Sequence, residues 1–209
     1  MSSRSTTAPR RVPQQERGER RVAGLLRAAA RVIAETGYER ATMCAIAERG
    51  RASIGSLYQF FPNKESVAEA LRARYAQETE SVWADLALKA KGLPVRQLVG
   101  CLIDSQIQFA ESHAAFLALL DAPPTTHTAR RRKLMQQRIA KVLLARRPRM
   151  SRPKALRIAA VMQHIFRGLL ALYARSAAEE KGAVVDEFKS VLGGYLAPKL
   201  CPRGDADWI

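Results

Sequence analysis

The chain has 209 residues, 47% of them hydrophobic and 6% aromatic, with a formal net charge of +16. That length and apolar content suffice for one or two packed domains, and the charge favours polyanionic partners, nucleic acid first. Cys44, Cys101 and Cys201 are odd in number and far apart, which excludes a disulfide framework, and no run reads as long and apolar enough to cross a bilayer because Arg167 interrupts the best candidate near 165–174.

In chain order, residues 1–18 read as a disordered basic arm with no apolar run to serve as a secretory signal, so a cytoplasmic location is expected. Val22, Leu25, Leu26, Ala29, Val32 and Ile33 keep helical spacing, and Gly37 is a natural stop. Thr42 is an N-cap for a short helix over 43–49. The turn of Gly50, Arg51 and Ala52 leads to a second N-cap, Ser53, and a helix over 53–61. Leu57 with Phe60 or Phe61 forms the docking side of that helix; Gly55, Ser56, Tyr58 and Gln59 form the other side. Pro62 ends it, and Asn63 caps the next. Two short helices joined by a tight turn containing Gly form a helix-turn-helix, whose second helix enters the DNA major groove.

A fourth helix is expected from Asn63 to about residue 91, with Val67, Leu71, Tyr75, Val82 and Leu86 inward, until Gly92 and Pro94 break it. Val95, Leu98, Val99, Leu102 and Phe109 define a fifth, and residues 114–120 a short sixth before Asp121, Pro123 and Pro124. The seventh covers 128–147 with Leu134, Met135, Ile139, Val142 and Leu143 inward. The eighth carries Ile158, Met162, Ile165, Phe166, Leu169, Leu172 and Tyr173, and the ninth Val184, Val185, Phe188, Val191, Leu192 and Tyr195, closed by Pro198. The fold class is all-α with about nine helices. The domains are a helix-turn-helix unit over 19–79 (motif 42–61), a regulatory and dimerisation unit over 80–198 and a tail over 199–209.

The run Ser53-Ile54-Gly55-Ser56-Leu57-Tyr58-Gln59-Phe60-Phe61-Pro62-Asn63-Lys64-Glu65 resembles the recognition-helix signature of the TetR family of transcriptional repressors. Gly37-Tyr38-Glu39-Arg40-Ala41-Thr42 and Ile46-Ala47-Glu48-Arg49 resemble its preceding turn and helix. The local likeness covers about a quarter of the chain. It departs at Arg51, where the family usually has Gly, at Ala52, usually β-branched, and at Met43, often a second Thr; Gly50 is expected to take the left-handed conformation in place of residue 51.

The resemblance implies a homodimer on a double-stranded palindromic operator, and phosphate anchoring by Tyr58 and Lys64. Residue chemistry adds Thr42, Arg40 and Arg51 as phosphate contacts, and Ser53, Ile54, Gly55, Ser56 and Gln59 at phosphates or base edges. The last two helices have apolar residues on more than one side, which calls for a partner, and the resemblance places the dimer there; Leu156, Ala160, Leu170, Val184, Phe188, Val191, Leu192 and Tyr195 are the candidates. The resemblance also implies a small-molecule inducer. Trp83, Gln106, Phe109, His113, Phe116, His127, Met135, Met162, Gln163 and Phe166 have the make-up of an apolar pocket with polar anchors, although at least half of these are expected to be plain core.

No catalytic constellation, cofactor fingerprint or metal-ligand spacing is present in the sequence, so no enzyme, cofactor or metal is expected. Residues 130–157 hold twelve Lys or Arg and no acidic residue. That run is read first as a solvated face, and alternatively as the main surface of a nucleic-acid-binding protein without sequence preference.

Overall fold

Helix-forming periodicity extends through nearly the whole chain, and the computed structural model, which describes residues 12–120, 122–125 and 127–201, has ten helices and no strand among them. The first four are α1 (Val12–Thr36), α2 (Met43–Arg49), α3 (Ile54–Phe60) and α4 (Lys64–Glu78). The others are α5 (Glu80–Lys89), α6 (Val95–Ser112), α7 (Ala114–Ala118), α8 (Thr128–Arg146), α9 (Arg152–Arg175) and α10 (Lys181–Leu200). Helix α1 already includes residues 12–18, which the sequence assigned to a disordered arm; residues 1–11 and 202–209 lie outside the described residues.

Two clusters of buried side chains organise the molecule. One joins α1–α4 through Leu25, Ile33, Ile46, Leu57, Val67 and Leu71, and takes in Ala115, Leu119 and Ala122 from α7 and the loop after it. The other joins α5, α6, α8, α9 and α10 through Trp83, Leu98, Leu102, Ile139, Leu143, Met162, Leu169 and Leu192.

The expected fourth helix is two. Thr79 is buried, and its hydroxyl donates to the Tyr75 and Ala76 carbonyls at 3.1 and 3.2 Å, so the side chain competes for the backbone acceptors of the last turn. The break changes the phase. Val82, expected inward, is exposed, and Trp83 next to it is only 2% exposed.

Other expectations are corrected in the same way. Phe60, Leu134 and Leu172 are exposed, not core. Helix α10 continues through Pro198 to Leu200. Helix α9 is long and apolar enough to cross a bilayer by length and composition, with a mean hydropathy of 1.3 over its best 18 residues, so Arg167 does not rule out such a run. Its inner side, from Ala155 through Met162 to Leu169, is part of the second core.

Arg72 on α4 ties the loop after α7 into the first core, donating to the carbonyls of Leu119, Ala122 and Pro123 at 2.8–3.1 Å. Other pairs staple the two cores together. Glu69 pairs with Arg131 at the start of α8. One turn pair further along α8, Arg138 reaches the Ala76 carbonyl at 2.7 Å and Glu80 at 3.3 Å.

Candidate nucleic-acid interface

The reading unit is built from local caps. The Thr42 hydroxyl accepts from the Ala45 N–H and the Ser53 hydroxyl from the Ser56 N–H, each at 3.2 Å, satisfying otherwise orphan donors at the starts of α2 and α3. Asn63 and Ser66 form a reciprocal capping box at α4. A helix of seven residues is unstable alone, so α3 depends on docking. Leu57 at 0% exposure is its one buried residue. Phe61, just past the helix in extended backbone, swings into the same core.

The turn between α2 and α3 departs from expectation. Gly50 is right-handed at φ −81°, and Arg51 takes the left-handed conformation at φ 47°. The N–H groups of Arg51 and Ala52 bond back to the Glu48 and Ala47 carbonyls at 3.0 and 2.9 Å, a Schellman ending with Arg where Gly is usual. Glycine at 50 eases the packing there for a different reason. A Cβ there would lie 3.2 Å from both the Ile46 carbonyl oxygen and Leu25 Cδ2, so it permits the close approach of α2 to α1. The left-handed arginine is strained by roughly 1 kcal/mol relative to glycine and leaves its guanidinium exposed.

With Leu57 anchored, the far side of α3 is bare. Ser53, Ile54, Gly55, Tyr58 and Gln59 are all exposed, with Ile54 at 41% and Tyr58 at 50%. Ser56 is half-buried, and Arg21 from α1 reaches its hydroxyl at 3.5 Å. Arg21 was not singled out from the sequence; the basic spacing of Arg17, Arg20 and Arg21 on α1 was the available signal.

Lys64 is already engaged. Its ammonium donates to the Tyr38 and Glu39 carbonyls at 3.0 and 2.9 Å and sits 4.5 Å from the Tyr38 ring centre, leaving one N–H for another acceptor. Arg40 Nε donates to the Thr36 carbonyl at 2.9 Å, closing the end of α1. On the flank, Arg49 grips Glu35 with two bonds of 2.7 Å, and this pairing holds the Glu35 carboxyl below the usual carboxylate range.

The ten residues considered for a ligand fall into separate places. Phe109, His113 and Phe116 surround Tyr75, with Phe109 and His113 stacked at 4.2 Å. His113 Nδ1 faces the Phe109 carbonyl and Nε2 faces Glu78, each at 2.9 Å. In the other core Trp83 lies 6.2 Å from Phe166, with Met162 buried and Met135 packed alongside. His127 is exposed and Gln106 half-buried. Gln163 bonds Gln136 and the Arg132 carbonyl between α8 and α9. They do not line one pocket, because α6 is long enough to serve both cores: Leu98 to Ile103 pack in one and Phe109 against the other. The buried Trp83 Nε1 has no hydrogen-bond partner among the described residues. Those residues also contain no cluster of three His, Cys, Asp or Glu that could hold a metal.

Of the candidates for pairing two chains, Leu170 and Leu192 are buried within the chain and are corrected out of an exposed face. Val191 is 54% exposed, and Leu156, Ala160, Val184, Phe188 and Tyr195 are half-buried. Val161 and Leu172, at 43% and 49%, form an exposed apolar strip on a different side of α9 from Leu156 and Ala160. Phe188 packs beside Gly168, where a Cβ would meet its ring at 3.6 Å, so the α9 and α10 strips adjoin.

Residues 25–71 match the family described as bacterial regulatory proteins, tetR family, and residues 94–196 match the tetracyclin repressor-like C-terminal domain. No curated protein matches the chain. A TetR-family transcriptional regulator from Streptomyces coelicolor has a similar structure, with TM-score 0.66 and 22% identity over 88% of this chain and 99% of that one. NalD of Pseudomonas aeruginosa, the secondary repressor of the MexAB-OprM multidrug efflux pump, aligns with TM-score 0.55 and 13% identity over 83% of this chain and 95% of its own. The flavonoid-responsive regulator FrrA aligns with TM-score 0.54 and 21% identity over 89% of this chain and 100% of its own.

Proposed function

We propose, from the premise that this chain belongs to the tetR family of bacterial regulatory proteins and is a DNA-binding transcriptional regulator, that it acts as a homodimeric repressor on a palindromic operator and is released by a small ligand. The observation that carries the reading is the bare outer side of α3, a helix seated through Leu57, its one buried residue. Exposed small and hydrogen-bonding side chains on a docked helix suit a major groove, about 12 Å wide.

The roles divide by chemistry. Ile54 can meet only a thymine methyl, Gln59 can bond an adenine edge or a phosphate, and Ser53 and Ser56 can donate to either. Tyr58, Thr42, Arg40, Arg51 and the free N–H of Lys64 are phosphate contacts, which set register and not sequence. Lys64→Ala should flatten the salt dependence of binding by about 0.9 units of logarithmic slope. An unchanged slope with a lower melting temperature would leave Lys64 only its bonds to residues 38 and 39.

Gly55 gives the most direct test of the face. A Cβ at 55 meets nothing within 4 Å in the free protein. Gly55→Ala should therefore leave folding intact or improve it, by up to ~1 kcal/mol, while weakening operator binding about tenfold (~1.4 kcal/mol). Wild-type affinity in that variant would remove α3 from the base-reading surface.

The dimer is supported by the adjoining apolar strips of α9 and α10, which lack a partner among the described residues. A ligand site in the second core is supported by the orphan Trp83 N–H among apolar neighbours, an anchor for a mostly apolar molecule carrying one acceptor. The repressor and flavonoid-responsive roles of the structurally similar proteins agree with this reading.

A further inference from the structure

We propose that the outer face of α8, with the turn after it and the start of α9, is a second nucleic-acid surface that takes the phosphate backbone of a duplex other than the operator, without reading its sequence. Of the twelve basic residues at 130–157, Arg131 and Arg138 pair with Glu69 and Glu80, Arg147 bonds the Lys199 carbonyl, and Arg146 is half-buried and engaged. Arg130, Arg132, Lys133, Lys141, Arg149, Arg152, Lys154 and Arg157 remain exposed, with no acidic partner among the described residues.

Helix position aligns them. Arg130, Lys133 and Lys141, with Gln137 between, fall at i, i+3, i+7 and i+11 and share one stripe. An open groove beside it is lined by Ala129, Arg132, Lys133, Gln136, Gln137 and Leu156. The nineteen residues of α8 span about 28 Å. The helix starts against Glu69 on α4, and the residue after its end, Arg147, bonds Lys199 at the end of α10. The stripe thus begins beside the reading unit and leads away from it toward the end of α10, so its length runs away from the duplex that α3 holds.

The chemistry favours phosphate over the other polyanionic partners. A helix lying in a membrane surface must free its apolar side, but Ile139, Val142 and Leu143 are 0% exposed in the core. A protein interface needs an apolar or aromatic centre with charge at its rim, whereas this stripe has charge along its length and Leu134 as its one exposed large apolar residue. Arginine in a row suits paired bonds to phosphate oxygens, and displaced counterions drive the binding.

The inference rests on the operator reading only for the word "second", and the experiment separates the two. Protein is retained on its selected palindrome, and recruitment of a labelled unrelated duplex is read across salt near ~0.15 M. The triple variant Arg130→Gln, Lys133→Gln, Lys141→Gln changes exposed residues only. It should keep palindrome retention, lose recruitment at least tenfold, and flatten the recruitment slope by about three units. Tyr58→Ala should do the reverse, losing the palindrome while free protein still binds unrelated duplex. No recruitment by the wild-type protein, or recruitment unaltered in the triple variant, overturns the proposal. So does stronger competition by polyglutamate or by anionic phosphatidylserine vesicles than by duplex.

Discussion

Leu57→Ala should unfold the reading unit well below the wild-type melting temperature and abolish operator binding. Leu57 is the one buried side chain of α3, fully enclosed beside Ile46, Phe61 and Leu71. Truncating an enclosed leucine costs about 2–5 kcal/mol, the range set by how far the cavity collapses. Total stability of a domain is about 5–15 kcal/mol, so this is a large share of it. For a chain of this length each kcal/mol moves the midpoint by roughly 2–4 °C. Circular dichroism should therefore show a loss of about 5–20 °C, with operator affinity down by a hundredfold or more as α3 loses its seat. Gln59→Ala, on the exposed side, should leave the midpoint unchanged. A midpoint equal to wild type in Leu57→Ala would mean that α3 is held by something other than this contact.

Leu172→Glu combined with Val191→Glu should give a folded monomer that no longer holds a palindrome. The two side chains are 49% and 54% exposed, so the isolated chain accommodates carboxylates there at small cost. A twofold dimer across α9 and α10 would instead bring four carboxylates into a closing apolar face. Burying unpaired charge costs several kcal/mol per ion. Sedimentation should show one subunit, and the circular dichroism spectrum should be unaltered. A monomer presents one seven-residue helix to the groove and forfeits the linked second contact, which multiplies affinity by roughly 10²–10⁴. A variant that stays dimeric and keeps its operator affinity would move the interface to another face.

Much of this architecture is written locally. Thr42, Ser53 and Asn63 are caps because their short side chains reach the N–H groups of their own first turns, a property of three or four residues and no more. The breaks at Gly37, Pro62 and Gly92 are equally local. What could not be read depends on contacts distant in sequence. The break at Thr79 carries neither Gly nor Pro, and a regular spacing counted across it put Val82 inside where Trp83 goes. Phe60 and Phe61 differ in fate because the backbone leaves the helix between them. Lys64 has the residue type of a phosphate anchor, but its bonds to residues 38 and 39 require the fold. The candidate ligand residues share helical spacing, yet spacing does not say which core α6 faces at each end. Arg51 shows a left-handed arginine in a glycine's place, a conformation that sequence pattern alone assigned to Gly50.

The central claim is that the outer side of α3 reads base pairs in a twofold assembly. Selection of bound duplexes from a random pool by the purified protein measures this directly. The expected result is an enriched palindrome whose half-sites lie about 34–36 Å apart, ~10 base pairs, or a multiple of that, with enrichment lost for Gly55→Ala at the central positions of each half-site. A pool that stays random, or a motif without twofold symmetry that Gly55→Ala leaves intact, would contradict it.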